Sequence, residues 1–265
     1  MQFVSLASGS KGNCYYLASD EGAFLVDCGI SLKRIEQGVA TLGRGGMDAI
    51  RGVLLTHEHR DHISGLGPLL RRHHIPVYGT RDTLDALEEK VIGKVDRHLF
   101  YALDDDALNL ADFRISYSRV SHDAADPVSY QIAWQDKKIG MLTDSGILSD
   151  ENMNALYDSD LLLIEANHDA DMLRDGPYPY YLKQRIAGRF GHLSNVNCAE
   201  ALPEMIGART KHIVLAHLSE QNNSPTYAYH TVCEALSAHL PKGHTVDVQV
   251  ATQKTPLAFF LPSLT

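Results

Sequence analysis

Residues 56–62 read Thr56-His57-Glu58-His59-Arg60-Asp61-His62. Three imidazoles and a carboxylate within six residues suit a borderline divalent metal. Side chains two apart in an extended segment point the same way, so His57 and His59 share a face as a strand ends. Asp61 and His62 then fall in the first turn of the following helix and point back into the same space. A solvated, histidine-rich turn is the competing explanation, but so dense a run is rare by chance in this composition. Four ligands cannot close two metal sites, because each needs about four, counting a bridging carboxylate and water. The remaining candidates are polar residues just beyond apolar strands. They are His122 in Val120-Ser121-His122-Asp123, Asp144 in Met141-Leu142-Thr143-Asp144-Ser145-Gly146, and His217 in Val214-Leu215-Ala216-His217-Leu218-Ser219. Any one of them alone is an ordinary turn or cap residue. In this order, behind the His57–His62 run, the three form a set.

The elements that must carry these residues follow from patterning. Phe3–Ala7, Cys14–Ala18 and Ala23–Asp27 are short strands joined by turns, the first turn being Gly9-Ser10-Lys11-Gly12-Asn13. The apolar run 53–55 is a buried strand. Helices follow at Ile63–Arg72 and Arg81–Lys90, with a short strand at Val77-Tyr78 between them. Later strands fall at Val128–Trp134, Lys138–Leu142, Asp160–Ala166, His212–Ala216, His244–Ala251 and Leu257–Leu261, and helices at Asn195–Ile206 and Thr226–His239. Strands come first, then helices, and the pattern repeats: an α+β layout with two similar halves. Two sheets packed face to face, with helices outside both, satisfy it. At 265 residues with no low-complexity tract or linker, the expectation is one domain over 1–265.

Composition excludes several classes. No run approaches the roughly 18 apolar residues of a membrane span, and Met1–Ser5 lacks a signal peptide's basic start, so a soluble cytoplasmic protein is expected. Cys14, Cys28, Cys198 and Cys233 have no C-x-x-C spacing, which argues against a zinc ribbon or disulfide scaffold. The formal charge of −9 counts against nonspecific capture of nucleic acid, although a local basic rim could outweigh it.

The ligand set resembles the metallo-β-lactamase superfamily. That family carries an Asp after an early strand, then His-x-His-x-Asp-His, then His, Asp and His at strand ends. Here the first motif is Asp27 in Phe24-Leu25-Val26-Asp27-Cys28-Gly29, and the resemblance spans roughly residues 3–217. Leu6–Asn13, Glu165–Asp169, Gly176–Pro179, Leu182–Ile186 and Gly191–Asn195 further resemble its bacterial YycJ/WalJ/VicX branch, described as 5′–3′ DNA exonucleases. The resemblance implies an αββα four-layer sandwich, two mixed β-sheets with helices on both outer faces. It implies two divalent metals per chain, one held by His57, His59 and His122, the other by Asp61, His62 and His217, with Asp144 bridging. Asp27 would orient the ligand loop. Zinc suits the imidazoles, whereas manganese or iron would suit a nuclease role.

His168 has no place in the general pattern, so an extra ligand, a substrate contact and a packing residue stay equally open. Gly191-His192-Leu193-Ser194 resembles an element that phosphodiesterase members place opposite the metals, where His192 could bind the scissile phosphate or protonate the leaving oxygen. A helix-start histidine beside a Ser194 cap is the plain alternative. Two metals lower the pKa of a water between them and clamp a phosphoryl group; Asp61 could orient that water. The loop holding Ser8, Ser10, Lys11 and Asn13 offers a phosphate cradle or an ordinary glycine hairpin. Lys183, Arg185 and Arg189 on one helix, with Arg174 before it, would supply local positive charge. Tyr178, Tyr180 and Tyr181 would offer rings for exposed bases, unless that helix is simply solvated. The functional expectation is a binuclear phosphodiesterase acting on nucleic acid in the manner of a 5′–3′ DNA exonuclease, with a single-stranded or duplex DNA end as substrate. A small-molecule hydrolase on a thioester, lactam or cyclic phosphate is the alternative; a non-catalytic scaffold and a flavodiiron-type site fit less well.

Overall fold

The computed structural model describes residues 1–104, 107–240 and 243–263. The chain opens with β1 (Gln2–Ala7), β2 (Cys14–Ala18) and β3 (Ala23–Val26), buried throughout. Their alternation explains why nearly every residue is apolar. In β2, Cys14, Tyr16 and Ala18 face one core, while Tyr15 and Leu17 face another. A strand buried on both faces reads as a continuous apolar run.

After α1 (Leu32–Ala40) come β4 (Ile50–Leu54), α2 (Arg60–Ile63), α3 (Leu66–His73), β5 (Val77–Gly79), α4 (Arg81–Asp85), α5 (Glu89–Ile92) and β6 (Phe100–Ala102). The second half holds β7 (Leu108–Leu110), β8 (Phe113–Arg119), β9 (Val128–Trp134), β10 (Lys137–Leu142), α6 (Asp150–Leu156) and β11 (Leu161–Glu165). It continues through α7 (Ala170–Asp175), α8 (Tyr180–Ile186), α9 (Asn195–Met205), β12 (His212–Ala216), α10 (Pro225–His239), β13 (Asp247–Val250) and β14 (Leu257–Phe260).

Two seven-stranded sheets result, ordered β14-β1-β2-β3-β4-β5-β6 and β13-β12-β11-β10-β9-β8-β7. Both are mixed. β3 to β6 pair in parallel in the first, and β10 to β13 in the second, with antiparallel pairing elsewhere. Three cores separate the layers. One lies between the first sheet and α1 and α3, one between the sheets, and one between the second sheet and α6, α9 and α10. In β12, Ile213 and Leu215 face the helices while Val214 and Ala216 face the other sheet. This is the four-layer sandwich expected.

Some boundaries differ from expectation. The helix expected over Arg81–Lys90 is broken into α4 and α5. Arg97 takes the carbonyls of Leu84 and Leu87 at 3.1 and 2.8 Å, and buried Leu87 holds the turn between them. Arg189 lies beyond the end of α8, so the three cations do not share one helix. Among the described residues no helix is long and apolar enough to cross a membrane.

Candidate metal centre and active site

Strand ends converge on one cleft, and the backbone there is bent. Asp27, Asp144 and His217 follow β3, β10 and β12 with φ of 59°, 57° and 55°. A left-handed residue is tolerated by Asp but costs on the order of 1–3 kcal/mol for most non-glycine side chains, so it persists only where its surroundings hold it. The surroundings do. Asn167 Nδ2 donates to the His217 carbonyl at 2.9 Å, and the His217 amide donates to Ser8 Oγ at 2.8 Å. The Asp27 amide donates to the Leu54 carbonyl at 2.9 Å. His59 stands just before α2, whose first turn carries Asp61 and His62.

Four overlapping groups of ligand-type atoms, each within 4.8 Å of one another, occupy the cleft. His57, His59 and His122 form one; Asp61, His62 and His217 form a second. Asp144 joins His57 and His62, and also Glu165, His192 and His217. Asp144 thus stands between the first two groups, with Oδ2 3.1 Å from His62 Nε2 and Oδ1 3.8 Å from His122 Nε2.

Hydrogen bonds behind the rings decide which nitrogens face inward. His62 Nδ1 donates to Asp27 Oδ2 at 2.7 Å, and His122 Nδ1 to the Gly191 carbonyl at 3.0 Å. Their Nε2 atoms are left for the cleft, as in metal-binding histidines. Asp27 also accepts from the Thr56 amide and hydroxyl, both at 2.9 Å, so one buried carboxylate pins the whole ligand loop. His57 Nε2 and Asp144 Oδ2 are buried with no hydrogen-bond partner. Buried polar atoms left without a hydrogen bond are costly unless a cation satisfies them. The donor set fits divalent metal.

The electrostatics agree. Burial pushes the imidazoles of His57 and His122 below their usual range. Burial also lowers His62 and His217, but neighbouring carboxylates outweigh it: Asp144, Asp27 and Asp61 raise His62, and Asp144, Asp61 and Glu165 raise His217 to about 10. Burial opposes ionisation of Asp144 and Asp61, yet the surrounding imidazoles hold both carboxyls well below their ordinary values.

Glu165 escaped the sequence reading as a site residue. It ends β11 fully buried, accepting from His192 Nδ1 at 2.8 Å, His217 Nδ1 at 2.9 Å, and the Ser145 and Leu193 amides at 2.9 and 3.2 Å. Against the opposing burial, the imidazoles of His192 and His217 carry its carboxyl down to about 2. The available signal was an acid terminating the otherwise apolar run Leu161–Ile164. Asp123 was also missed: it grips Arg185 through both oxygens at 2.5 and 3.1 Å, and its Oδ1 lies 3.6 Å from His122 Nε2.

His192 lies in the cleft wall, its ring 5.1 Å from that of His122 and 5.3 Å from that of His217. Ser194 caps α9, as the plain reading of this stretch expects. Ser10, Tyr178 and Arg185 line the cleft too, whereas Tyr180 and Tyr181 project into solvent at 74% and 73% exposure. His168 joins none of the four groups. It is buried, its backbone bridges to Ser194, its Nδ1 has no partner, and burial pulls its pKa down to about 4.

The Ser8–Asn13 loop, read as either a phosphate cradle or a glycine hairpin, has its backbone hydrogen bonds turned inward. Amides of Ser8, Gly9, Lys11, Gly12 and Asn13 already donate within the fold. Ser8 Oγ is engaged with Tyr15 and His217, Asn13 Nδ2 sits 3.1 Å from His62 Nε2, and Lys11 pairs with Glu220. Of that loop only Ser10 lines the metal cleft.

Comparison with known proteins places this geometry. Residues 23–218 match the β-lactamase superfamily domain. The chain is 41% identical over 253 residues to exodeoxyribonuclease WalJ of Streptococcus pneumoniae serotype 2 (strain D39 / NCTC 7466), covering 94% of this chain and 93% of that protein. It is 38% identical over 238 residues to exodeoxyribonuclease YycJ of Bacillus anthracis, covering 89% of each. Among solved structures, the metallo-β-lactamase fold protein YhfI of Bacillus subtilis superposes with a TM-score of 0.68 at 20% identity, over 97% of this chain and 99% of the other. Human tRNase Z, short form, superposes at 0.62 and 19% identity, over 97% and 98%. At such identities these structures speak for the fold. The chain belongs to the metallo-β-lactamase superfamily and, within it, to the group of the exodeoxyribonucleases WalJ and YycJ.

Proposed function

We propose that this protein is a binuclear metal-dependent phosphodiesterase that degrades DNA from an end. The observation that supports this reading most is the pairing of two ligand groups about Asp144 with a carboxylate-held His192 in the same cleft. His57, His59 and His122 would hold one cation, Asp61, His62 and His217 the other, and Asp144 both, with Asp27 fixing the His62 ring. Two such divalent cations supply charge that stabilises a phosphoryl group and acidifies water near neutral pH. Zinc suits this imidazole-rich set; manganese and iron are accommodated by the carboxylates.

The chain's own groups would do the rest. Asp61 remains anionic and partly open to the cleft, so it can accept a hydrogen bond from the attacking water. Glu165 holds the Nδ1–H of His192 and, against burial, keeps that imidazole above its ordinary pKa. An imidazole whose Nδ1–H is held in this way can give a proton to the departing oxygen. Arg185, already aimed along the cleft by Asp123, can contact a phosphate.

The test is a metal-content assay joined to a substrate panel. Protein purified without chelator should carry about two transition-metal equivalents. It should degrade linear DNA, leave closed circles intact, and hydrolyse bis-p-nitrophenyl phosphate. Failure on DNA with manganese, zinc and iron alike, beside brisk thioester or cyclic-phosphate hydrolysis, would replace this reading with a small-molecule hydrolase.

A further inference from the structure

Five histidines contribute to the first two ligand groups, and four of them have the nitrogen turned away from the cleft hydrogen-bonded. His57 Nδ1 donates to Thr56 Oγ1 at 3.1 Å, His62 Nδ1 to Asp27, His122 Nδ1 to the Gly191 carbonyl and His217 Nδ1 to Glu165. Among the described residues His59 is the exception. Its Nδ1 lies 3.2 Å from His122 Nε2 and so faces the cleft, which leaves Nε2 on the outer side. A metal-binding imidazole almost always donates its outer N–H to a carboxylate, a carbonyl or water, and this fixes the ring and raises its basicity. The carboxylate facing His59 Nε2 is Asp123, whose Oδ1 stands 4.0 Å away, just beyond hydrogen-bond reach. Arg185 holds both oxygens of Asp123 instead. That grip is easily exchanged. The Asp123 amide donates to the Phe190 carbonyl at 3.1 Å, so the backbone is anchored while the carboxylate can turn. The Arg185 and Asp123 side chains are 56% and 33% exposed, and an ion pair so open to water is worth little. A phosphate that takes the guanidinium can therefore displace the carboxylate.

We infer that Asp123 is a positioning residue shared between substrate and metal, holding Arg185 until a phosphate engages that guanidinium and then turning to the Nε2–H of His59. The cation held by His57, His59 and His122 is thereby bound more tightly when substrate is in place. The inference rests on the binuclear phosphodiesterase reading above and deepens it. Coupling of this kind is reciprocal, so the metal-loaded protein should also grip a phosphate more strongly through Arg185.

Zinc affinity, measured by competition with a chromogenic chelator, tests this without relying on turnover. Asp123→Ala should weaken one of the two zinc-binding steps by about 10–100-fold, the usual cost of removing the carboxylate behind a ligand histidine. Arg185→Ala should move the same step the other way, tightening it by about fivefold or more, because the carboxylate is released to His59. The double variant should match Asp123→Ala alone, since the gain depends on that carboxylate. Both side chains are partly exposed, and circular dichroism should show all three variants folded. Zinc affinity unchanged in Asp123→Ala, or no tighter than wild type in Arg185→Ala, overturns the inference and leaves the metal centre standing. So does a gain that survives in the double variant, because it would come from the lost positive charge alone. A wild-type protein that takes up no zinc, manganese or iron overturns the binuclear reading as well.

Discussion

Two regions face one another across the cleft, built in opposite ways. The ligand cluster is buried and over-determined: His57, His62, His122, Asp144, Glu165 and His217 are each below a tenth exposed, and each except His57 is tied by several groups. Helix α8 has no buried residue at all. Its neighbourhood is cationic by composition but largely self-paired. Arg185 holds Asp123, Arg174 holds Asp171 and Asp175, and Lys183 Nζ donates to the Arg174 carbonyl at 2.6 Å. Chemistry that needs sub-ångström placement is assigned to strand ends locked by the core. On the proposed reading, contact with a long, variable substrate would fall to side chains whose ion pairs exchange readily in water.

Breaking the cluster should have the largest effect. Asp144→Ala should lose one metal equivalent and bring both DNA and chromogenic hydrolysis to background while the fold survives, as metal analysis and circular dichroism would show. Parental turnover of bis-p-nitrophenyl phosphate would end the bridging assignment. Next comes His192, the proposed proton donor. His192→Ala should slow both substrates by roughly 10²–10⁴-fold. Glu165→Gln should lower the pKa of the basic-side limb of the pH–rate profile, because the imidazole loses the carboxylate that holds its proton.

His168 sharpens the comparison from the buried side. Its folded pKa of about 4 lies below the unfolded histidine value, so its contribution is intact above about pH 6.5 and is lost as pH falls towards 4. Between pH 7 and pH 5 that amounts to roughly 2 kcal/mol. Urea unfolding of metal-free His168→Gln should therefore lose about that much less over this interval than wild type. Equal losses would show that His168 takes up its proton in the folded state.

The smallest change is expected at the exposed face. Removing the charges of Lys183 and Arg189 should reduce the slope of log affinity for single-stranded DNA against log salt by about 1.4, for two phosphates. Chromogenic hydrolysis should not move. Arg185 is left out because it lines the cleft itself, so its loss should touch both substrates.

Legibility followed burial. Strands β2 and β12 have the limits expected from sequence, because a strand between two cores must be apolar at every position. Helix α1 went unread although Leu32, Ile35 and Val39 repeat at helical spacing, and β8 went unread although Phe113 and Ile115 alternate with exposed Arg114. Both were masked by charged residues on their solvent sides. Glu165 was invisible as a site residue because an acid at a strand end has no chemical meaning until its four donors are known.

Residue type and spacing alone determined the metal-binding character of this protein. His57 to His62 sit close enough in sequence that local geometry forces them together, and Asp144 and His217 each follow a run whose apolarity demands a buried strand, whereas His122 follows the alternating β8. Tertiary structure decided everything that depends on distant segments meeting. It set Asp144 between the two groups, gave His192 a buried carboxylate from β11, and bonded the amides of the Ser8–Asn13 loop to the chain's own interior. The reason is range: periodicity reports only which face a residue occupies, whereas a hydrogen bond across 156 residues, such as His217 to Asp61, exists only once both sheets have packed.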